Sequence, residues 1–293
     1  MPLELIFVLE QVLNGLLVGA NYLLIALGLS LIFSLGGVVN LAHGGFYAIG
    51  AYLVVLLTDY LGYPAAFVVS PLAVAVLGIV VERLLFRPFY REDPALALLL
   101  TFGLAMVMEQ ALRMIFGATP QPFSIPSFLG GQVLIGDFIY SRYRFAILAV
   151  AIAVVVGLWF LLQRTPFGRV VRAGIQNPDM VGAMGISLTP YLMAVAALGM
   201  GLAGLAGVMM APITGVHPAM GAEILIAAFV VVVIGGLGSF WGVIVAAILV
   251  GVVRGLTVYF YPPAAEASMY LLMVLVLLLR PRGLFGERIV RFE

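Results

Sequence analysis

Residues 11–58 read QVLNGLLVGANYLLIALGLSLIFSLGGVVNLAHGGFYAIGAYLVVLLT, a run without a single Asp, Glu, Lys or Arg. A helix needs about 20 predominantly apolar residues to cross a bilayer. The run therefore holds two spans, and the chain is an integral membrane protein. Between the two spans, NLAHGG (40–45) places an amide, an imidazole and a glycine pair inside an otherwise lipid-compatible block. The whole composition agrees with the class. Of 293 residues, 64% are hydrophobic and only 9% are charged, against roughly 25% charged in a soluble domain. With a formal net charge of +1 there is no basic face for nucleic acid. The chain has no cysteine, which excludes disulfides, thiolate catalysis and cysteine-ligated metal.

Working outward, further apolar stretches lie at 60–81, 94–116, 145–163, 191–211, 224–261 and 267–279. The stretch at 94–116 carries Glu109 and Arg113, four apart in the favourable order for a neutralising helical pair. The stretch at 224–261 is broken by GGLGS (235–239) into a short span and a second one. The expected fold is an all-α polytopic membrane protein of eight or nine transmembrane helices with glycine-rich breaks, forming one domain over residues 1–293. The N-terminal MPLELIFVLEQ lacks a basic region and carries Glu4 and Glu10, so it reads as a retained span and not a signal peptide. Arginines set the orientation, since all basic side chains are Arg. Arg83, Arg87 and Arg91 share one loop; Arg164, Arg169 and Arg172 share another; Arg280, Arg282, Arg288 and Arg291 form the tail. With nine spans the three groups fall on one side, which the positive-inside rule makes cytoplasmic, giving N-out and C-in. The loop 117–143 then lies outside. Its Pro and Gly breaks, followed by alternating apolar residues after Gly131, predict a small hairpin that is either a connector or a docking surface.

The loop RTPFGRVVRAGIQNPDMVGAMGISLTPY (164–191) predicts two short helices between spans. A first turn falls over 168–173. Asn177 then caps a second helix, Pro178 occupies its first position, Asp179 faces its positive end, and Gly185 stops it. Helices this short persist by docking to a partner, or else the loop is interfacial. Asn40 and Ser239 are candidate caps after the two glycine-rich breaks, both expected at the cytoplasmic mouth. Asn40, His43, Gly44, Gly236, Ser239 and Arg254 are therefore the candidate pathway or gate residues. His43 either hydrogen-bonds at a helix start or lines the gate. Arg254 sits within an apolar stretch, where a charge near mid-bilayer costs about 2.5–3.5 kcal/mol. It either snorkels to headgroups or lines a path for an anionic or zwitterionic substrate. Glu223 and Glu266 fall at span ends, and His217 has no companion at metal-ligand spacing, so no metal site is expected. Gly199, Gly201, Gly204 and Gly207 permit close helix approach.

Five stretches now carry a resemblance: GLLVGANYLLIALGLSLIF (15–33), NLAHG (40–44), GRVVRAGIQNPDMVGAMGI (168–186), AAFVVVVIGGLGSFWG (227–242) and RPRGLFG (280–286). In this order and spacing the chain resembles the permease subunits of branched-chain amino-acid (LIV-type) ABC importers, most of all the shorter of the two permeases in such systems. The resemblance implies half of a translocation pathway, not an enzyme, in the bacterial inner membrane and surrounded by lipid. Its partners would be a second LIV-type permease, two cytoplasmic ABC ATPases and an extracytoplasmic solute-binding protein. ATP would be bound by the ATPases, leaving no cofactor in this chain, which has no GxxxxGK[ST]. The substrate would be a branched-chain amino acid or a related small amino or carboxylic acid. The loop residues Arg169, Arg172, Ala173, Asn177, Asp179, Ala183, Gly185 and Ile186 would couple to an ATPase. The chain departs from the family pattern at Gln176-Asn177-Pro178, where an acidic residue is frequent. A stand-alone secondary transporter or channel is the alternative; it would want an embedded ionisable relay, for which only Glu109 with Arg113, and Arg254, qualify. An intramembrane enzyme finds no HExxH and no supported Ser/His pair.

Overall fold

A computed structural model describes residues 3–37, 39–89, 93–135 and 138–286. The helices are α1 Leu3–Gly36, α2 His43–Leu61, α3 Tyr63–Val81, α4 Pro94–Phe116, α5 Arg142–Arg164, α6 Pro166–Gln176, α7 Pro178–Ala183, α8 Thr189–Thr214, α9 Met220–Gly235, α10 Phe240–Phe260 and α11 Ala265–Leu279. Among the described residues, eight segments are long and apolar enough to cross a membrane, and α9 is a shorter apolar helix. The all-α polytopic expectation holds.

Helix α1 is the axis. Its 34 residues rise about 51 Å, well beyond the ~30 Å hydrocarbon layer. In lipid there is no hydrophobic gain from pressing one apolar helix on another, so association rests on close backbone approach through small residues. Gly15 meets Gly251, Gly19 meets Ala247 and Gly28 meets Gly199, each so near that an added Cβ would run into the opposing carbonyl. The first two pairings make α1 and α10 antiparallel. Helix α8, the other central element, receives α2 at Gly204 and Gly207 and α3 along Val74 and Ala75. Helices α4 and α5 stand at the periphery and expose Leu99, Phe102, Met106, Ile152, Val156 and Phe160, the composition of a lipid-facing exterior.

The bundle has two distinct ends. At one end, strands β1 Gln132–Ile135 and β2 Phe138–Ser141 form the expected antiparallel hairpin. Tyr140 and Arg144 both donate to Asn14 Oδ1 of α1, at 3.1 and 2.5 Å. Gln121 bridges to Val216, and Tyr63 and Tyr143 join hydroxyls at 2.9 Å. At the opposite end, Leu35 lies under Gly174 of α6 and Ser34 beside Gly238. The tail folds back there, with Leu284 N–H donating to Ile234 and Phe285 N–H to Gly235. The arginines of the 164–188 loop and of the tail gather at this arginine end, as their spacing predicts; Arg91, Arg288 and Arg291 lie outside the described residues.

One expectation is overturned. The break after α1 does not stay at the mouth. His43 Nε2 lies 3.2 Å from the carbonyl of Ile25, which is eleven residues, about 16 Å, back along α1 from Gly36. Gly45 sits against Met108 and Gly44 against Gly221, and Val39 accepts from the Thr101 hydroxyl. After α1 reaches the arginine end, the chain therefore climbs back beside it, and α2 begins near mid-bundle. The backbone polar groups of such a segment must be covered by protein, and they are: Asn40, Ala42, His43 and Gly44 are all buried.

Candidate functional site

The six candidate pathway residues fall in three places. Asn40, His43 and Gly44 form the buried start of α2. Asn40 does not cap that helix; the residue ahead of it is Ala42, with no side-chain cap. The Asn40 amide oxygen instead accepts from Ala42 N–H at 3.0 Å, closing the turn that aims the chain into α2. Three residues later His43 is fully enclosed, one ring nitrogen on Ile25 and the other without a partner, as is Asn40 Nδ2. Gly44 leaves room for Gly221 of α9. The starts of α2 and α9 thus meet inside the bundle, so the glycine break that pairs with NLAHGG in space is Met220-Gly221, not the 235–239 break.

Gly236 and Ser239 lie at the arginine end. Ser239 caps α10, its hydroxyl accepting from Gly242 N–H at 3.1 Å. Gly236 has φ +98° and backs directly onto Gly286 of the tail, a conformation and a proximity that only glycine tolerates. Gly236, with the Leu284 and Phe285 N–H bonds to Ile234 and Gly235, anchors the tail to the α9–α10 turn. Arg254 is apart from both groups, toward the hairpin end of α10, with its Nε enclosed and unpartnered. Elsewhere, Glu109 and Arg113 form the expected ion pair at 2.8 Å on the outer face of α4. His217 lies 3.7 Å from Glu223, and among the described residues no cluster could hold a metal ion.

The eight loop residues are brought together. Thr165 accepts from Gly168 N–H to start α6, which runs longer than the one turn expected. Asn177 accepts from Met180 N–H at 2.9 Å and caps α7, with Pro178 in the first turn. Gly185 takes φ +79° and ends the helix pair. Inside the loop, Gly168, Val171, Gly174 and Val181 face the bundle, whereas Arg169, Ala173, Asn177, Asp179, Ala183 and Gly185 are exposed. Arg172 and Ile186 are half-buried, and Arg172 has one guanidinium nitrogen enclosed without a partner. The residues missed by motif reading are Ile175, Met180 and Met184. They are exposed by 37%, 59% and 73%, apolar side chains on a loop that also exposes Arg169 and Asp179. Met is a flexible, adaptable contact residue. Its signal in the sequence was the two methionines four apart on the solvent side of a cap.

A bundle with helix breaks inside the membrane, polar groups buried around them and an exposed helix pair at its arginine end is a membrane-transport scaffold. The family described as branched-chain amino acid transport system / permease component matches residues 11–279, and the chain belongs to it. It is 28% identical to the high-affinity branched-chain amino acid transport system permease protein BraD of Pseudomonas aeruginosa, with 97% of each chain covered. It is 26% identical to LivH of Escherichia coli, again over 97% of each. With LivM of Salmonella typhimurium it shares 32% identity over 90% of this chain and 67% of that one. These relatives are transport permeases, not enzymes. Among solved structures it is similar to PsaBC from Streptococcus pneumoniae in complex with Fab, with a TM-score of 0.50 at 14% identity and coverage of 91% and 89%, a likeness of fold alone.

Proposed function

We propose that this chain is one of two permease subunits of an ATP-driven importer for branched-chain amino acids or closely related small amino acids, resident in the bacterial inner membrane. The arginine end is cytoplasmic, following the positive-inside rule. The observation that carries the coupling half of this reading is the α6–α7 pair. It leaves Ile175, Met180 and Met184 exposed on a loop that also exposes Arg169, Gln176, Asn177 and Asp179. Exposed apolar patches ringed by polar residues mark protein docking sites, and short helices gain their stability from the partner they enter. The partner is a pair of cytoplasmic ATPases, which bind the nucleotide. The hairpin end faces an extracytoplasmic solute-binding protein, and a second permease completes the pathway.

Co-purification followed by reconstitution tests this. Leucine uptake into liposomes is expected only when the two permeases, the ATPases, ATP and loaded binding protein are all present. Uptake by this chain alone, driven by an ion gradient, would overturn the reading in favour of a secondary transporter.

A further inference from the structure

Helices α3 and α5 start together at the hairpin end, where the Tyr63 and Tyr143 hydroxyls lie 2.9 Å apart. Tyr143 donates its own proton to the Met209 carbonyl of α8 at 2.9 Å, so Tyr63 is the donor within the pair. From there the two helices run side by side, yet their backbones make little direct contact. A furrow is left between them, with α8 as its floor. Its deeper part is a cavity of about 390 Å³, walled by Leu72 and Ala75 of α3 and by Val154 and Gly157 of α5, over Leu198 and Gly201 of α8. Only Pro, Leu, Ala, Val and Gly line it. Nearer the hairpin end, a second cavity of about 240 Å³ lies between the same two helices, bounded by the tyrosine pair and by Phe128 of the outer loop.

Depth and charge say what fills the furrow. Beyond Val81, α3 continues through a π-helical turn, Glu82–Phe86, that carries Arg83. Arg83 follows Tyr63 by 20 residues, and Arg164 follows Tyr143 by 21. Both arginines therefore lie about 30 Å from the tyrosine pair, at the same level and one hydrocarbon thickness away. Each is exposed, one at the arginine end of each wall. The Arg164 guanidinium lies over the Trp159 ring, 5.8 Å from its centroid, and Trp is an interfacial anchor. The furrow is thus apolar through the lipid layer and positive at one rim. A partner helix, about 10 Å across, could only lie over it; a hydrocarbon chain can lie in it.

We propose that the furrow holds an anionic phospholipid from the leaflet at the arginine end, with one acyl chain on α8 and its phosphate taken by Arg83 and Arg164. Guanidinium N–H groups form charge-assisted hydrogen bonds to phosphate oxygens. The site goes beyond the transport reading and is independent of the solute carried. The bound chain touches α8, the helix that also receives α2 and α3, and so becomes part of the packing of the bundle.

Native mass spectrometry of the purified full chain tests this, with phosphatidylglycerol and phosphatidylcholine of identical acyl chains as probes. Phosphatidylglycerol is expected to bind the more tightly. Arg83→Gln and Arg164→Gln should each weaken it about fivefold, the contribution of one basic side chain at an anionic surface, and leave phosphatidylcholine unchanged. A Cβ added at Gly157 meets nothing within 4 Å. Gly157→Leu should therefore fill the furrow and weaken phosphatidylglycerol binding without lowering the thermal unfolding midpoint. Phosphatidylglycerol with a diazirine on its acyl chain should cross-link to 72–75, 154–157 and 198–201 in preference to the exposed face of α4. Equal affinity for the two lipids, or phosphatidylglycerol binding unmoved by both arginine variants, overturns the site. Cross-links spread evenly over the outer helices overturn it as well, and so does loss of furrow labelling when the second permease assembles, which would make the furrow a protein interface. Should a variant fail to fold, the cross-linking map of the unmodified chain decides alone.

Discussion

Glycine carries the most structural information at the scale of single residues, and the glycines differ sharply. A Cβ at Gly50 would run into the backbone of Gly204, whereas a Cβ at Gly103 or Gly157 meets nothing within 4 Å. Overpacking costs typically 1–3 kcal/mol, while glycine in an open helix interior is about 0.5–1 kcal/mol worse than alanine. Gly50→Ala should therefore lower the thermal unfolding midpoint in detergent and reduce folded yield, and Gly157→Ala should leave both unchanged or raised. A similar drop in both variants would show that the α2–α8 contact is looser than described. His43 belongs to the same scale. Enclosed and bonded to the Ile25 carbonyl, it acts as a strut in this conformation. Its replacement by alanine loses a hydrogen bond of about 1 kcal/mol together with packing contacts. His43→Ala is expected to destabilise the protein by about 2–3 kcal/mol, read by thermal unfolding, before any effect on transport is considered. The polarity of NLAHGG was visible in the sequence, but its depth was not. Depth is set by partners 18 and 177 positions away, Ile25 and Gly221, and no local pattern encodes them.

At the scale of elements, the α6–α7 pair was legible because its signals are local. Thr165 and Asn177 cap, Pro166 and Pro178 open, and Gly185 stops. Removing a cap costs about 1 kcal/mol, a large share for a six-residue helix. Asn177→Ala should weaken ATPase stimulation several-fold with no change in the span region, measured as ATP hydrolysis against the concentration of loaded binding protein. The exposed Ile175, Met180 and Met184 were hidden by the composition of the chain. In a chain that is 64% hydrophobic, two exposed methionines do not stand out until burial separates them from the rest. Met180→Glu with Met184→Glu should abolish co-purification of the ATPases while the permease pair still forms. Retention of the ATPases by that double variant would place the contact elsewhere. Span boundaries were likewise legible, since apolar length and charge are themselves local. The short α9 was legible too, through GGLGS at its end, but its start inside the bundle was not.

For the whole molecule, the arginines and the hairpin mark the two opposite ends of the bundle. A cysteine replacing Ala173 and another replacing Gln132, both exposed, should label from opposite faces of intact membranes, the first only after permeabilisation to the cytoplasmic side. Labelling of both from one face would overturn the orientation. The tail anchored at Gly236 and the exposed helix pair lie at the same end of the bundle. The meeting of Gly44 with Gly221 has a separate consequence, for the order of events during synthesis. The residues that complete the cover over Asn40–Gly44 leave the ribosome after the 177 positions between those two glycines, roughly 9–35 s later at ~5–20 residues per second. During that interval a nascent chain has Ile25, Thr101 and Met108 against this segment but lacks the cover that Gly221 gives to Gly44. The enclosure of Asn40–Gly44 is therefore completed only once α9, in the last quarter of the chain, has been made.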